Sequence, residues 1–256
     1  MKLKEKLENH YRAFDKSQIS PDPLELLHKF KGGLDIEAVG LISSIFAYGN
    51  IKQIISSQGK IMSVIGNSPH DFILNFDHKD EKKIKLITHR FYMGDDTVWL
   101  FKALKHIYRE HGSIKDYFLR FHDGNAKNLK NAIEGFSQST IDYLSKKDVL
   151  TQGLRFMFPL PSVGSACKRM NLFLRWMVRK DELDFGLWNE ISPAKLVIPV
   201  DTHIARICKE LKLTQLKNVS WKMAEEITDN LRKFDADDPV KYDFAICHIG
   251  MRKMKF

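Results

Sequence analysis

Cysteine is scarce in this chain: its 256 residues include three, Cys167, Cys208 and Cys247. They lie far apart, form no Cys-x-x-Cys pair and are odd in number, which argues against a disulfide framework and for a reducing, cytoplasmic setting. No apolar run approaches the length needed to span a bilayer, and the charged segment from Met1 to Glu8 lacks the apolar core of a secretory signal. The expectation is therefore a soluble intracellular protein with no membrane association. Alternating apolar and polar residues flanked by Asn-Gly or Asp-Gly turns are also missing, which removes the usual signature of β-hairpins. There is no internal repeat, no low-complexity tract, no Walker-type loop, no Ser/His/Asp order and no convincing metal-ligand spacing, so no metal or other cofactor is expected.

What is present is a folding composition with a basic balance. Apolar residues make up 43% of the chain, and the formal net charge is +9. Clustered Lys and Arg attract phosphates and release counterions, so the charge favours a polyanionic partner without naming one. Apolar residues recur at three- and four-residue spacing almost throughout. The chain reads as all-α, with helices over about 2–16, 23–30, 35–48, 51–65, 69–75, 80–87, 97–111, 114–122, 127–145, 148–156, 165–180, 202–211, 221–233 and 239–251. Asp35, Asp96 with Thr97, and Ser220 serve as helix-start signals. No break is a long linker, so residues 1–256 are expected to form one body with two lobes, one of residues 35–147 and the other of 148–256 together with 1–34. The lysines 79, 82, 83 and 85, interrupted by Asp80 and Glu81, read as a solvated helix face.

Two segments carry chemistry. Leu160-Pro161-Ser162-Val163-Gly164 is a tight turn before a helix expected from Ser165, and Ile198-Pro199-Val200-Asp201-Thr202-His203-Ile204 opens another helix. A helix, a glycine-bearing turn and a second helix can present backbone N–H groups to a phosphate, gripping nucleic acid without reading bases. The same residues also suit an ordinary Pro/Gly-punctuated connection.

Residues 160–213 resemble the helix–hairpin–helix superfamily of DNA glycosylases, typified by endonuclease III, the adenine glycosylase acting opposite oxidised G, and the 8-oxoguanine glycosylases. In that superfamily a Leu-Pro-Gly-Val-Gly hairpin precedes a helix with a nucleophilic lysine, and Val-Asp-Thr-His opens a later helix with the catalytic aspartate. Pro199-Val200-Asp201-Thr202-His203 matches closely, whereas Ser162 replaces the first hairpin glycine. The usual lysine place, two residues after the hairpin, is Ala166; Lys168 follows two residues later, 33 residues before Asp201. That spacing is more similar to the archaeal 8-oxoguanine branch. His89-Arg90-Phe91-Tyr92 and Glu110 to Ile114 resemble segments of oxoguanine glycosylases. The whole chain also resembles a bacterial family of unknown function with the same Lys-Arg-x-x-x-Phe-Leu-Arg-Trp-Met helix. No four-cysteine loop of the endonuclease III type follows Cys247, so no iron–sulfur cluster is expected.

The resemblance implies a partner, duplex DNA with a damaged base, and a two-lobed all-α fold. It implies that Asp201 stabilises the oxocarbenium-like sugar; the residue reading alone allows a plain N-cap as well. It implies that Lys168 attacks the sugar and forms a Schiff base, the alternative being a phosphate contact. Ser162, Val163, Gly164, Ser165, Arg169, Arg175 and His203 are the expected DNA contacts. Arg169, Arg175, Arg179 and Lys180 spread around one helix, so some must be solvated or paired with Asp181, Glu182 or Asp184. A base acted on inside a duplex must be extruded into a pocket. Tyr48, Phe173 and Trp176 are candidate pocket aromatics, with Phe46, Trp99 and Trp188 further ones, and Asn50 lies in the turn best placed for a wedge. Three alternatives remain: a catalytically silent DNA-binding relative, an RNA-binding protein, and a helical interaction module.

Overall fold

In a computed structural model the described residues are 3–13 and 15–251, with side chains described as far as Cys247. They are mostly helical, and among them no strand forms; two isolated antiparallel bridges, His89 with Tyr92 and Lys180 with Phe185, close tight turns. The helices are α1 (Leu3–Ala13), α2 (Gly33–Phe46), α3 (Ile51–Ile65), α4 (Pro69–Asn75), α5 (His78–Ile84), α6 (Gly94–His111), α7 (Ile114–Leu119), α8 (Lys130–Ser145), α9 (Gln152–Met157), α10 (Lys168–Val178), α11 (Thr202–Glu210), α12 (Trp221–Arg232) and α13 (Asp243–Met251). No described helix is long and apolar enough to cross a membrane. The all-α expectation thus describes the molecule.

The chain divides into two compact units, a central one of residues 21–123 and 131–159 and a terminal one of 1–20, 124–130 and 160–256. These boundaries differ from the expected lobes, for local reasons. Residues 23–29 form a 3₁₀ helix on α2, where Ser43 Oγ donates to the Pro23 carbonyl (3.1 Å). The start of α9 belongs with α6, because the Thr151 hydroxyl donates to the carboxylate of buried Asp96. Residues 124–130 join the terminal unit through Lys127 on Asp229 (2.8 Å) and Asn128 on Glu225 (2.7 Å).

Inside the central unit α2 is buried from Ile36 to Phe46, so it is apolar on nearly every face rather than amphipathic. The buried polar atoms on it have partners: Glu37 accepts the N–H groups of Ile114 (2.7 Å) and Lys115 (3.1 Å), capping α7 from a neighbouring helix. Asp35, expected as a cap, lies inside the first turn and accepts the His70 N–H instead (2.9 Å). Asp96 sits at the third position of α6, where its carboxylate accepts the Met93 N–H (2.8 Å).

At Gly94 the Lys85 carbonyl oxygen lies 1.8 Å from where a β-carbon would stand. Backbone meets backbone there, so no side chain can move aside. Gly94→Ala is expected to destabilise the protein by about 1–3 kcal/mol, the usual range for overpacking. A urea midpoint equal to that of the unsubstituted protein would contradict this close approach.

In the terminal unit α10 carries Met170, Phe173, Leu174, Trp176 and Met177 into the core, and α11 to α13 enclose it with Ile204, Ile207, Met223, Ile227 and Ile246. The expected last helix, 239–251, starts at Asp243: Asp238 is committed to Arg179, and Asp235 accepts the N–H groups of Asp237 and Asp238.

Candidate active site

The amine of residue 168 and the carboxylate of residue 201 meet. Lys168 opens α10, Asp201 caps α11, and Lys168 Nζ lies 3.0 Å from Asp201 Oδ2, with each side chain about one-third exposed, 31% and 37%. The two carboxylate oxygens divide their work. Oδ1 accepts the N–H groups of His203 and Ile204, both at 2.9 Å, so the side chain has a fixed direction. Oδ2 is left to face the lysine. Burial opposes the charge of Asp201, but Lys168 and the two backbone donors outweigh it and hold the carboxyl below its ordinary range. The aspartate is therefore an anion at neutral pH, positioned beside an accessible amine.

The helix carrying the lysine starts later than expected. Residues 165–167 are not helical: Ser165 Oγ accepts the Cys167 N–H (3.2 Å), and Cys167 turns into the left-handed region at φ 49° before α10 begins. A serine hydroxyl offering the backbone an alternative partner delays the helix, and the delay places Lys168 at its first position. Upstream, Pro161–Val163 form one 3₁₀ turn closed by Gly164 at φ 85°, a conformation glycine adopts at least cost. Ser162, Val163 and Gly164 are exposed and Ser165 is half-buried. The Gly164 N–H is used internally on the Pro161 carbonyl (3.0 Å), while its carbonyl accepts the Trp221 N–H (3.3 Å), which fixes the turn to α12.

Other predicted contacts have different roles. Arg175 is buried and carries its guanidinium between Asp243 (2.5 Å) and Asp184 (3.3 Å); it is framework, not a DNA contact. Arg169 is also buried, 6% exposed, and the charge expected at the surface is inside. Phe173 and Trp176 are fully buried, and Phe173 packs edge-on against Trp188 (5.2 Å), so both belong to the core rather than to an open base pocket. Their helical spacing is that of core residues. His203 is half-buried, and its Nε2 is shielded from solvent without a hydrogen-bond partner. Tyr48 and Asn50 belong to the central unit. Asn50 caps α3 by accepting the Lys52 N–H (2.8 Å), and Tyr48 lies under the Arg90 guanidinium, 5.2 Å from its ring centroid.

Behind the Lys168–Asp201 pair stands a buried ion network. Arg179 binds Asp238 through two nitrogens (2.9 Å each), Asp181 (3.0 Å) and Asp184, and Arg175 links Asp184 to Asp243. Two guanidinium groups thus serve four carboxylates. Burial first of all pushes Asp184 up to about 6, against the pull of Arg175 and Arg179. Asp243 is raised by burial too, and the charges of both Lys168 and Asp201 reach it.

The family model described as "Protein of unknown function (DUF2400)" matches residues 22–252. The chain belongs to the DUF2400 family. No curated protein and no solved structure matches the chain. The DUF2400 match takes in Lys168, Asp201 and every member of the ion network. Sequence reasoning missed Asp243 and Asp238 as partners, because each lies about sixty or more residues from its arginine. The surplus of aspartates between 181 and 243 on a basic chain was the available signal. None of the DUF2400 protein's cysteines is in a disulfide, and Cys167 and Cys208 are buried; burial above all raises the Cys208 thiol and leaves it inert. Among the described residues no group of His, Cys, Asp or Glu is arranged to hold a metal ion.

Proposed function

We propose that this protein is a helix–hairpin–helix DNA glycosylase-like enzyme that removes a damaged base, first of all an oxidised purine, and that Lys168 supplies a lyase step. The observation that carries this reading is the 3.0 Å approach of Lys168 Nζ to Asp201 Oδ2 at the starts of two helices, both groups being accessible. The exposed Ser162-Val163-Gly164 turn and the net charge of +9 support a phosphate-bearing partner.

The resting pair is an ammonium against a carboxylate, which is not a nucleophile. Substrate entry displaces water, and a proton passes from Nζ to Asp201. The Nζ lone pair then attacks C1′ of the sugar as the bond from C1′ to the base nitrogen breaks. The departing base keeps that electron pair and takes the proton held by Asp201, whose restored charge faces the developing positive sugar. Ring opening moves one of the two remaining amine protons to the sugar oxygen and leaves a protonated Schiff base on Lys168, from which loss of the C2′ proton expels the 3′ phosphate.

A second reading, a DNA-binding protein without chemistry, is favoured by Ala166 at the glycosylase superfamily's usual lysine place and by the ion-paired state of Lys168. Borohydride trapping on abasic and lesion-bearing duplexes separates the two. The enzyme reading expects a covalent adduct that Lys168→Ala abolishes. Tight, salt-sensitive binding with neither adduct nor base release selects the second reading, and failure to retain any oligonucleotide at low salt removes both.

A further inference from the structure

Most large apolar side chains of the central unit are buried, but Leu86, Phe91, Met93 and Phe156 stand out, with Phe91 and Phe156 47% and 41% exposed. Phe91 and Phe156 meet at 4.8 Å between ring centroids, and Tyr48 closes a triangle with them at 5.4 and 5.2 Å. The triangle rests on buried Tyr92, 5.0 Å from Tyr48 and 5.3 Å from Phe91. Leu86 and Met93 flank the point where the Lys85 backbone abuts Gly94.

This surface is built rather than incidental. His89 and Tyr92 exchange backbone hydrogen bonds, 3.1 and 2.9 Å, across a turn whose tip is Arg90 and Phe91. Arg90 is held at φ 55°, a left-handed conformation that a side chain with a β-carbon resists. Buried His89 anchors the turn from both ring nitrogens, on Ser57 Oγ (2.9 Å) and the Tyr48 carbonyl (3.0 Å), while Tyr48 donates to the His89 carbonyl (3.0 Å). Such bracing keeps large rings in water without letting them collapse inward.

The rim states what could cover them. Arg90 lies over the Tyr48 ring, and Lys85 is exposed and paired with Asp95 (2.8 Å). Exposed aromatic rings with a guanidinium group beside them fit a ligand that is flat, polarisable and anionic along its backbone. We infer that Tyr48, Phe91 and Phe156, with the Arg90 guanidinium beside them, form a stacking platform for an unpaired nucleobase of single-stranded DNA. The inference stands on the central unit alone and holds whether or not Lys168 and Asp201 do chemistry.

The test is anisotropy and fluorescence quenching with a short single-stranded oligodeoxynucleotide carrying aminopurine. Phe91→Ala and Phe156→Ala are expected to weaken binding about tenfold each, the usual scale of one base–aromatic contact, and to relieve the quenching. Both side chains are surface-exposed, and unchanged thermal midpoints are to be confirmed alongside. Phe91→Leu keeps the apolar bulk and loses the ring, so it is expected to bind as poorly as Phe91→Ala. Arg90→Gln is expected to flatten the salt dependence of the affinity. Wild-type affinity in Phe91→Ala, or full rescue by leucine, overturns the platform. So does concentration-dependent self-association that Phe91→Ala abolishes, or RNA of the same sequence binding tenfold more tightly.

Discussion

Asp201→Asn is expected to leave the fold intact and to reduce base release about 10²- to 10³-fold, the scale seen when one charge-stabilising group is removed from an active site. The substitution is informative because asparagine caps helices as well as aspartate does. Its side-chain oxygen can still accept the His203 and Ile204 N–H groups that Oδ1 accepts now, so α11 keeps its cap. What disappears is the anion opposite Lys168. A residue that only caps predicts no change in either stability or activity; a residue that takes a proton and stabilises a cationic sugar predicts a large loss at constant stability. Since both partners are about one-third exposed, their ion pair itself contributes no more than about 0–1 kcal/mol to folding. Lys168→Arg completes the argument. Arginine retains a cation for a phosphate but cannot give up its proton, so it is expected to bind DNA and form no borohydride adduct. An Asp201→Asn protein releasing base at the wild-type rate, or an adduct surviving in Lys168→Arg, would end the glycosylase reading.

The features that were legible in the sequence are those decided within one or two helical turns. Three- and four-residue apolar spacing located α3, α4 and α6 closely, and the Asp201 and Ser220 caps followed from side chains that reach only two or three residues. The apparent kit of Lys168 and Asp201 was named from its motif, and α10 and α11 bring the pair together. What depends on distant partners was not legible. Arg175 looked like a surface cation because nothing near it in sequence announces Asp243, 68 residues on, and its helix gives the same periodic pattern whether the arginine is solvated or paired inside. Phe173 and Trp176 looked available because aromatic residues look alike in core and pocket. The aromatic platform was missed for the converse reason. Phe91 and Phe156 are 65 residues apart, on elements whose patterns only the folded central unit superposes.

Arg175→Met is expected to destabilise the protein by about 3–5 kcal/mol, because it leaves Asp184 and Asp243 buried without the cation that bridges them. Methionine has the right bulk and no charge, so the loss reports electrostatics more than a cavity. If that is so, adding Asp243→Asn to Arg175→Met should recover part of the stability, and the cycle should show a coupling well above that of distant sites. Additive effects would mean that the pair is incidental. The same network makes a prediction in pH. Asp184 has its native value pushed up to about 6 from an ordinary 3.8, so the native state binds that proton more tightly than the unfolded chain does. The stabilisation from this group is complete below 3.8 and is lost as pH rises through about 6, opposite in sign to the lowered Asp201, whose contribution is lost as pH falls. Asp184→Asn removes one proton-linked group, so the difference in unfolding free energy between wild type and variant should shift steadily across that window and level off above it. Asp243, raised by the same burial, keeps part of the slope in the variant. A difference that stays constant from pH 3.8 to about 6 would show that Asp184 is ionised throughout, with the two guanidinium groups overcoming its burial.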